Sequence, residues 1–505
     1  MNLTIILLYL TAAVFGGYIL VYKIRRRKFE VLGEMIPGHP AYPLVGNSLL
    51  FAGVRSSVDL WYVGMKTLKQ LCDTYGTLFR VWLGPMLVVC ITDLDDMNTL
   101  LSSPHASTKH WWYVRLLNVM SHGIFGMNGK DWQELKKPFL RYFPIKEIES
   151  YSGIFESKAV QLASKFDKKV GAGVFNVHHV VKFFPLDVVC ATHLGVHTDE
   201  MEENKHDFHH HLERSLEIAF TRALRPEYLL DGIYKLTNMG RENVKADHQV
   251  TGISRWIIQE RMKILESRGI DLKSDFEEEF YTDSIIKKGM RENWTLHHMA
   301  LGITDVIVGG SDTTAIVLAY TLLCLAMHPE YQERAYQEQM EMFGESDRLP
   351  TFHEAQAMPY LGMCLKEALR LFGPVGIARE LTADFQLGDY LLPEGSALFF
   401  IFYQVHRNPA YYCRPHEFYP DHFSAEQCSR RPKLSFFGFS QGTRGCPGSL
   451  YSNISGKIAL SLLIRKFRFS SPIKFSDMKF KYSLMVENVD GYPLEIHRRN
   501  YREAA

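Results

Sequence analysis

Between residues 436 and 450 the chain reads FFGFSQGTRGCPGSL, four glycines, one arginine and one cysteine among apolar neighbours. Glycine is used where backbone turns sharply or approaches another group closely. Gly438, Gly442, Gly445 and Gly448 therefore predict backbone wrapped tightly around Cys446. A thiolate is the metal-binding form of cysteine, favoured by a cation, a metal or backbone N–H groups. Arg444 supplies a planar fork suited to a carboxylate. Pro447 suits the first turn of a following helix, whose N-terminus would face the sulfur. A buried structural cysteine in a glycine-rich turn is the plain alternative, and the fixed spacing of so many special residues argues against it.

Three further constellations stand out. Gly309-Gly310-Ser311-Asp312-Thr313-Thr314 interrupts the long apolar run 299–329. Two glycines and an acid inside a buried helix each cost up to about 1 kcal/mol against alanine, the local rule-breaking expected at functional sites. The glycine pair would open a groove for a flat ligand, and Asp312 followed by Thr313 could relay protons within hydrogen-bond reach. An Asp–Thr pair satisfying backbone at a helix bulge is the competing reading. Glu367 and Arg370 are three apart on one helix face, ordinarily a surface pair of small value. Trp132 and Lys136 are four apart, and read alone belong to an exposed helix.

These residues need elements to hold them. The segment 299–329 is apolar nearly all round and ends at Pro329, which predicts a central buried helix. Apolar residues from about 55 to 375 recur mostly at helical spacing, while 77–91 and 383–403 read as short β pieces. The fold class expected is mostly α with a small β-rich side. Residues 3–22 carry no charge and are followed by KIRRRK. A helix of that length, about 30 Å, spans a bilayer's hydrocarbon core, and the basic flank would stay cytoplasmic. The expected organisation is an N-terminal membrane anchor with its basic flank at 1–28, a Pro-rich hinge at 29–54, stiff and non-helical over MIPGHPAYPLVGN (35–47), and one catalytic domain at 55–505. A formal net charge of +1 gives no global pull on nucleic acid. The eight cysteines, at 72, 90, 190, 324, 364, 413, 428 and 446, form no CxxC, so reduced, mostly buried thiols are expected.

As it stands, Phe439-Ser-Gln-Gly442-Thr-Arg444-Gly-Cys446-Pro-Gly448 fits F-x-x-G-x-R-x-C-x-G and resembles the haem-binding loop of the cytochrome P450 monooxygenases. The Gly309–Thr314 segment, Glu367-Ala-Leu-Arg370 and Trp132-Gln-Glu-Leu-Lys136 resemble further segments of that family, in the right order. MIPGHPAYPLVGN, RELTADFQLGDYLLPEG, HRNPAYY and FYPDHF look most like its fatty-acid ω-hydroxylase branch, in particular the insect members. The resemblance implies a single helical prism with a small β-rich side, and haem b held through Cys446. It places Trp132, Lys136, Arg379 and Arg444 on the haem propionates, with Phe439 and Gly448 shaping the loop. Asp312 and Thr313 would deliver protons to O2, and Glu367, Arg370 and His422 would form a buried structural set. Two positions depart from the family's pattern, Lys136 and His422 standing where arginine is usual. Gly309 stands where the branch often carries a glutamate that esterifies haem, so no covalent ester is expected. No Walker or Rossmann fingerprint occurs in a suitable context. NADPH electrons would therefore arrive from a separate reductase, with cytochrome b5 as an additional candidate partner. The implied activity is hydroxylation of an apolar substrate at the endoplasmic reticulum membrane. A haem-thiolate isomerase or dehydratase, and a non-catalytic membrane-tethered lipid-binding relative, are the alternatives.

Overall fold

The apolar run at 299–329 folds as the helix Leu296–Met327, whose N-terminus is capped by the Thr295 side chain accepting from the His298 N–H. At 32 residues it is about 48 Å long. It stops where Pro329 begins the next helix, Pro329–Phe343, because proline fits a first helical turn but not a helix interior. Among the described residues it is the one helix long and apolar enough to cross a membrane, yet 72% of its most apolar stretch is buried inside the protein. Ile303 to Val308 pack in one apolar cluster with Leu186, Phe208, Ile257 and Ile286. Ile316 to Ala326 pack in another with Leu361, Leu365, Ile458 and Leu462. Each such side chain contributes about 1.5–3 kcal/mol by leaving water. Residues 309–315, between the two clusters, belong to neither, and Gly309, Gly310, Thr313 and Thr314 among them line a cavity.

The computed structural model describes residues 17, 24, 26–42, 45–198, 202–223, 228 and 231–499. The β pieces read from 77–91 and 383–403 are present. Leu78–Leu83 pairs antiparallel with Met86–Ile91, which pairs parallel with Ala397–Phe400, which pairs antiparallel with Ile377–Glu380. In Ile377–Glu380 side chains alternate between faces, so Ile377 and Arg379 share one, and both line the central cavity. Phe385–Leu387 with Tyr390–Leu392 make a separate hairpin. Near the C-terminus, Pro493–Arg498 joins Phe175–Asn176 to Phe467–Ser470.

The hinge segment begins in a helix: residues 29–35 are helical, and the prolines that stop it begin only at Pro37. Pro37 and Asn47, on either side of the turn, are stitched to the sheet edge. The Arg80 N–H donates to the Pro37 carbonyl at 2.7 Å and the Asn47 N–H to the Trp82 carbonyl at 2.6 Å. Trp82 N–H in turn donates to Asn47 Oδ1 at 2.8 Å. The apolar run 3–22 lies, apart from Gly17, outside the described residues. None of the eight cysteines is in a disulfide, but only Cys90, Cys190, Cys324 and Cys364 are buried.

Candidate functional site

The Cys446 loop faces the open middle of the long helix across a cavity of ≈ 330 Å³. The loop is closed by the Cys446 N–H donating to the Phe439 carbonyl at 2.9 Å and the Gly445 N–H donating to Gly442 at 3.0 Å. The glycines are not gathered around the sulfur, as the sequence suggested. Gly442, at φ +75°, would drive a Cβ into the Leu101 carbonyl, and a Cβ on Gly438 would come within 2.5 Å of Phe436 and 2.6 Å of Leu369. They let the loop press against its surroundings. Gly448 alone has the Cys446 Sγ as the nearest neighbour of its added Cβ, at an ordinary 3.7 Å. Gly448 caps the helix Ser449–Lys466. Cys446 is exposed, but toward the cavity, not into bulk water. Protein packs so closely around it that burial pushes its thiol up, against a smaller downward pull from the Gly448 N–H. Without a cation beside it this sulfur stays protonated at neutral pH.

The cations are at one end of the same cavity. Arg379 donates to the Ala378 carbonyl at 2.9 Å. Arg444 donates to Ser107 at 3.1 Å, to Met127 at 2.9 Å and to Asn128 Oδ1 at 3.0 Å, while its Nη1 is buried without a partner. The Trp132 ring lies between the Arg444 guanidinium, 3.5 Å from its centroid, and Lys136 Nζ, at 4.4 Å. Lys136 also donates to the Thr443 carbonyl at 3.0 Å. Lys109, which the sequence reading missed, is buried against them and donates to the Phe125 carbonyl. Burial lowers all of these groups, and neighbouring cations add to it at Arg444, Lys136 and Lys109. Arg444 falls to about 9, with Arg379 the second cause. Burial takes Arg379 to about 10, and Lys109 drops well below its ordinary range through burial, Arg379 and Arg444. Among the described lining residues Asp305 is the one acid. So many buried cations with so little counter-charge are unfavourable unless a ligand brings carboxylates. A flat group carrying two carboxylates and a metal fits: cations for its acids, Cys446 for its metal, and at Gly309 a helix face with nothing within 4 Å of an added Cβ.

On the long helix the predicted pair separates. Thr313 lines the cavity and donates to the Gly309 carbonyl at 2.7 Å. Ser311, Thr304 and Thr321 make the same i−4 bond, and the segment is continuous α-helix without a bulge. Asp312 is not on the lining, although its neighbours Thr313 and Thr314 are; its side chain points away from the cavity into the protein. It is buried, with Oδ2 unpartnered. Burial raises it well above the carboxylate range, Glu487 and Glu213 add to that, and Lys481 and Lys182 oppose it.

Beneath the loop, Glu367 and Arg370 are fully buried rather than a surface pair. Arg370 Nε and Nη2 meet the two carboxylate oxygens at 2.8 and 2.7 Å, and its remaining N–H groups go to the carbonyls of His406, Pro415 and Glu417. His422 lies 3.1 Å from Glu367 Oε1 through Nδ1. The Arg414 N–H donates to its Nε2 at 3.2 Å, so Nδ1 carries the proton and donates to the glutamate. Burial works to raise Glu367, but Arg370 and then His422 outweigh it and hold the carboxyl low. The spacing alone could not show this, since a lone E-x-x-R says nothing about depth; the buried set was what the family resemblance implied.

Two other wall residues were not legible. A π-helical turn, Cys190–Leu194, puts His193 on the cavity wall. Thr192 donates to the Val188 carbonyl, so its oxygen accepts from His193 Nδ1 at 2.8 Å and from the Tyr451 hydroxyl at 2.7 Å. Burial lowers His193 to about 3. Asp305 reaches the wall seven residues before Asp312, two turns up the same helix.

The sequence model of the family described as cytochrome P450 matches residues 36–490. Over 99% of this chain and the whole of the relative, the chain is 27% identical to cytochrome P450 4c21 of Blattella germanica. It is 26% identical to cytochrome P450 4c3 of Drosophila melanogaster, over 96% of the chain and 93% of the relative. To cytochrome P450 4V2 of Homo sapiens it is 26% identical over 94% and 92%. These relatives belong to family 4 of the cytochromes P450.

Proposed function

The chain belongs to the cytochrome P450 family and is a haem-thiolate monooxygenase of its family 4 branch; we propose that it hydroxylates an apolar substrate with electrons passed from NADPH by a separate reductase, cytochrome b5 being a further candidate donor. The observation that carries this reading is the pairing of an unpaired cysteine sulfur with buried, under-neutralised cations across one apolar cavity. When bound, the haem supplies the iron at which O2 is activated. Cys446 would hold that iron, and Arg379, Arg444, Lys136, Trp132 and Lys109 would hold the propionates. Each of these cations already spends some donors on protein carbonyls, so the ligand carboxylates meet groups fixed in advance, at little ordering cost. Phe439 and Gly448 set the loop.

Thr313 is the hydroxyl positioned for proton work on the cavity side. Its Oγ1 donates to Gly309 while its lone pairs remain free to accept from a cavity water, so it orients a proton donor rather than storing a proton. Asp312, raised and one residue round the helix, would exchange protons with Lys182, Glu213, Lys481 and Glu487 behind it. Apolar lining such as Met120, Ile124, Phe220, Val306 and Leu484 suits a hydrocarbon, terpenoid or fatty-acyl chain. The leading apolar segment 3–22 would tether the body to the endoplasmic reticulum membrane, with residues 23–28 cytoplasmic. Reduction in the presence of carbon monoxide tests the assignment. The holoprotein should show the long-wavelength Soret band of thiolate-ligated haem, Cys446→Ala should lose it, and each of the other seven Cys→Ala variants should keep it. A Cys446→Ala protein with the band intact would sink the ligand assignment.

A further inference from the structure

Asp305 is buried on the cavity wall, and its Oδ2 accepts from the Phe125 N–H at 2.5 Å. The opposite end of the same residue, the Phe125 carbonyl, accepts from Lys109, whose ammonium lies 3.7 Å over the Phe125 ring. One residue of the segment 107–128 is therefore gripped from both sides. Gly123 makes the approach possible, since a Cβ there would come within 2.5 Å of the Asp305 Cγ. The Gly126 and Met127 N–H groups fold back on the Gly123 carbonyl at 3.2 and 3.0 Å, so holding Phe125 holds the whole turn. At its neck the segment is fixed independently: Asn128 exchanges two hydrogen bonds with the Lys109 backbone, and Arg444 bonds Ser107, Met127 and Asn128. Only the tip depends on the long helix. Met120, Ile124 and Phe125 of this tip line the cavity, so the tip is part of the cavity wall.

On the reading that this cavity receives haem and substrate, we propose that Asp305 is a positioning residue which, with its carboxyl uncharged, holds the Gly123–Met127 turn shut over the cavity and releases it on ionisation. The carboxyl is covered by the turn itself, and its Oδ1 is buried with no partner. A charge there is costly while the turn is closed and cheap once water enters. Burial raises the group to about 7, against opposing pulls from the Phe125 N–H and Lys109. The charged and titratable groups facing it are Lys109 from the segment itself, with Arg379 and Arg444 behind, and Tyr281 from the helix Tyr281–Arg291. If opening hydrates the carboxyl, its value falls toward the ordinary 4, so by linkage rising pH favours the open turn.

Carbon monoxide, which does not titrate, reads access to the cavity when it rebinds to the reduced holoenzyme after flash photolysis. The wild-type association rate should rise at least about threefold between about pH 6 and about pH 8. Asp305→Asn keeps an oxygen for the Phe125 N–H without a charge, so its rate should stay at the slow wild-type value at both pH values. Asp305→Ala removes the acceptor and should be fast at both. A residue that merely fills space would not move the two variants in opposite directions. Hydrogen exchange of the Phe125 amide in the wild-type protein gives a second arm that needs no variant: its protection should fall above about pH 7 by more than the intrinsic base catalysis. Variants that shift together or not at all, or a Phe125 amide with constant protection, overturn the proposal. The exchange arm decides it even where the thiolate Soret band fails to appear, which separates this proposal from the haem assignment beneath it.

Discussion

Two of the charge clusters inside this protein are built on opposite principles. Around Glu367 and Arg370 every donor finds an acceptor: the carboxylate takes Arg370, His422 and the Tyr419 N–H, and the guanidinium spends its remaining N–H groups on three carbonyls. Around Lys109, Arg379 and Arg444, cations crowd a cavity wall that holds a single acid, and one guanidinium nitrogen is left bare. The first cluster is complete within the chain and can only be damaged by a change. The second is incomplete within the chain, so the same kind of change relieves the apoprotein and harms the loaded protein. A buried ion pair is weak proof of stability, whereas breaking one is costly; an unmatched cluster reverses that logic and points to a ligand.

The comparison is easiest to break at the complete cluster. Arg370→Met leaves the Glu367 charge buried and alone, at a cost of about 3–5 kcal/mol. Denaturant melts of the protein should show that loss with or without added haem, and a loss confined to the haem-loaded protein would contradict the assignment. At the incomplete cluster, Arg379→Met should leave the apoprotein as stable as wild type or more so. Haem retention, measured by transfer to apomyoglobin, should meanwhile fall about tenfold, as expected for one charge-assisted contact. An apoprotein destabilised as much as the loaded one would show that the cations are structural. Along the long helix, Thr313→Ala should bind haem normally yet lose about tenfold or more in hydroxylated product per NADPH, releasing hydrogen peroxide in its place. Unchanged coupling would remove the cavity-side hydroxyl from the proton path. The smallest effect belongs to His422→Arg, which restores the arginine usual at this position in the family. Arginine cannot accept the Arg414 N–H that His422 Nε2 takes, so about 1 kcal/mol should be lost rather than gained. A more stable His422→Arg protein would mean that the fork to Glu367 outweighs that acceptor.

The sequence by itself determined what local rules and fixed spacings can carry. An apolar stretch ended by Pro329 and β runs at 77–91 and 383–403 each follow from the preferences of neighbouring residues, and each appears in the fold. From its spacing Glu367–Arg370 was legible as a pair, and as a buried one only through the family resemblance, because i,i+3 geometry is the same at the surface and in the core; the depth is set by the carbonyls that segments 406 and 415–417 bring to Arg370. Asp312 and Thr313 are adjacent in sequence, yet the helix turns them to different environments, and which one meets the cavity depends on how the helix is rotated in its packing. The glycines of the thiol loop suggest backbone wrapped around Cys446, whereas at Gly438 and Gly442 it is tertiary contact with Leu101, Leu369 and Phe436 that requires them. Lys109 and Asp305 gave no signal at all. They are 196 positions apart, each unremarkable in its own segment, and only the packing of the 107–128 turn onto the long helix puts one residue, Phe125, between them. Local backbone preference is written in adjacent residues; the partner of a buried charge is chosen by the fold.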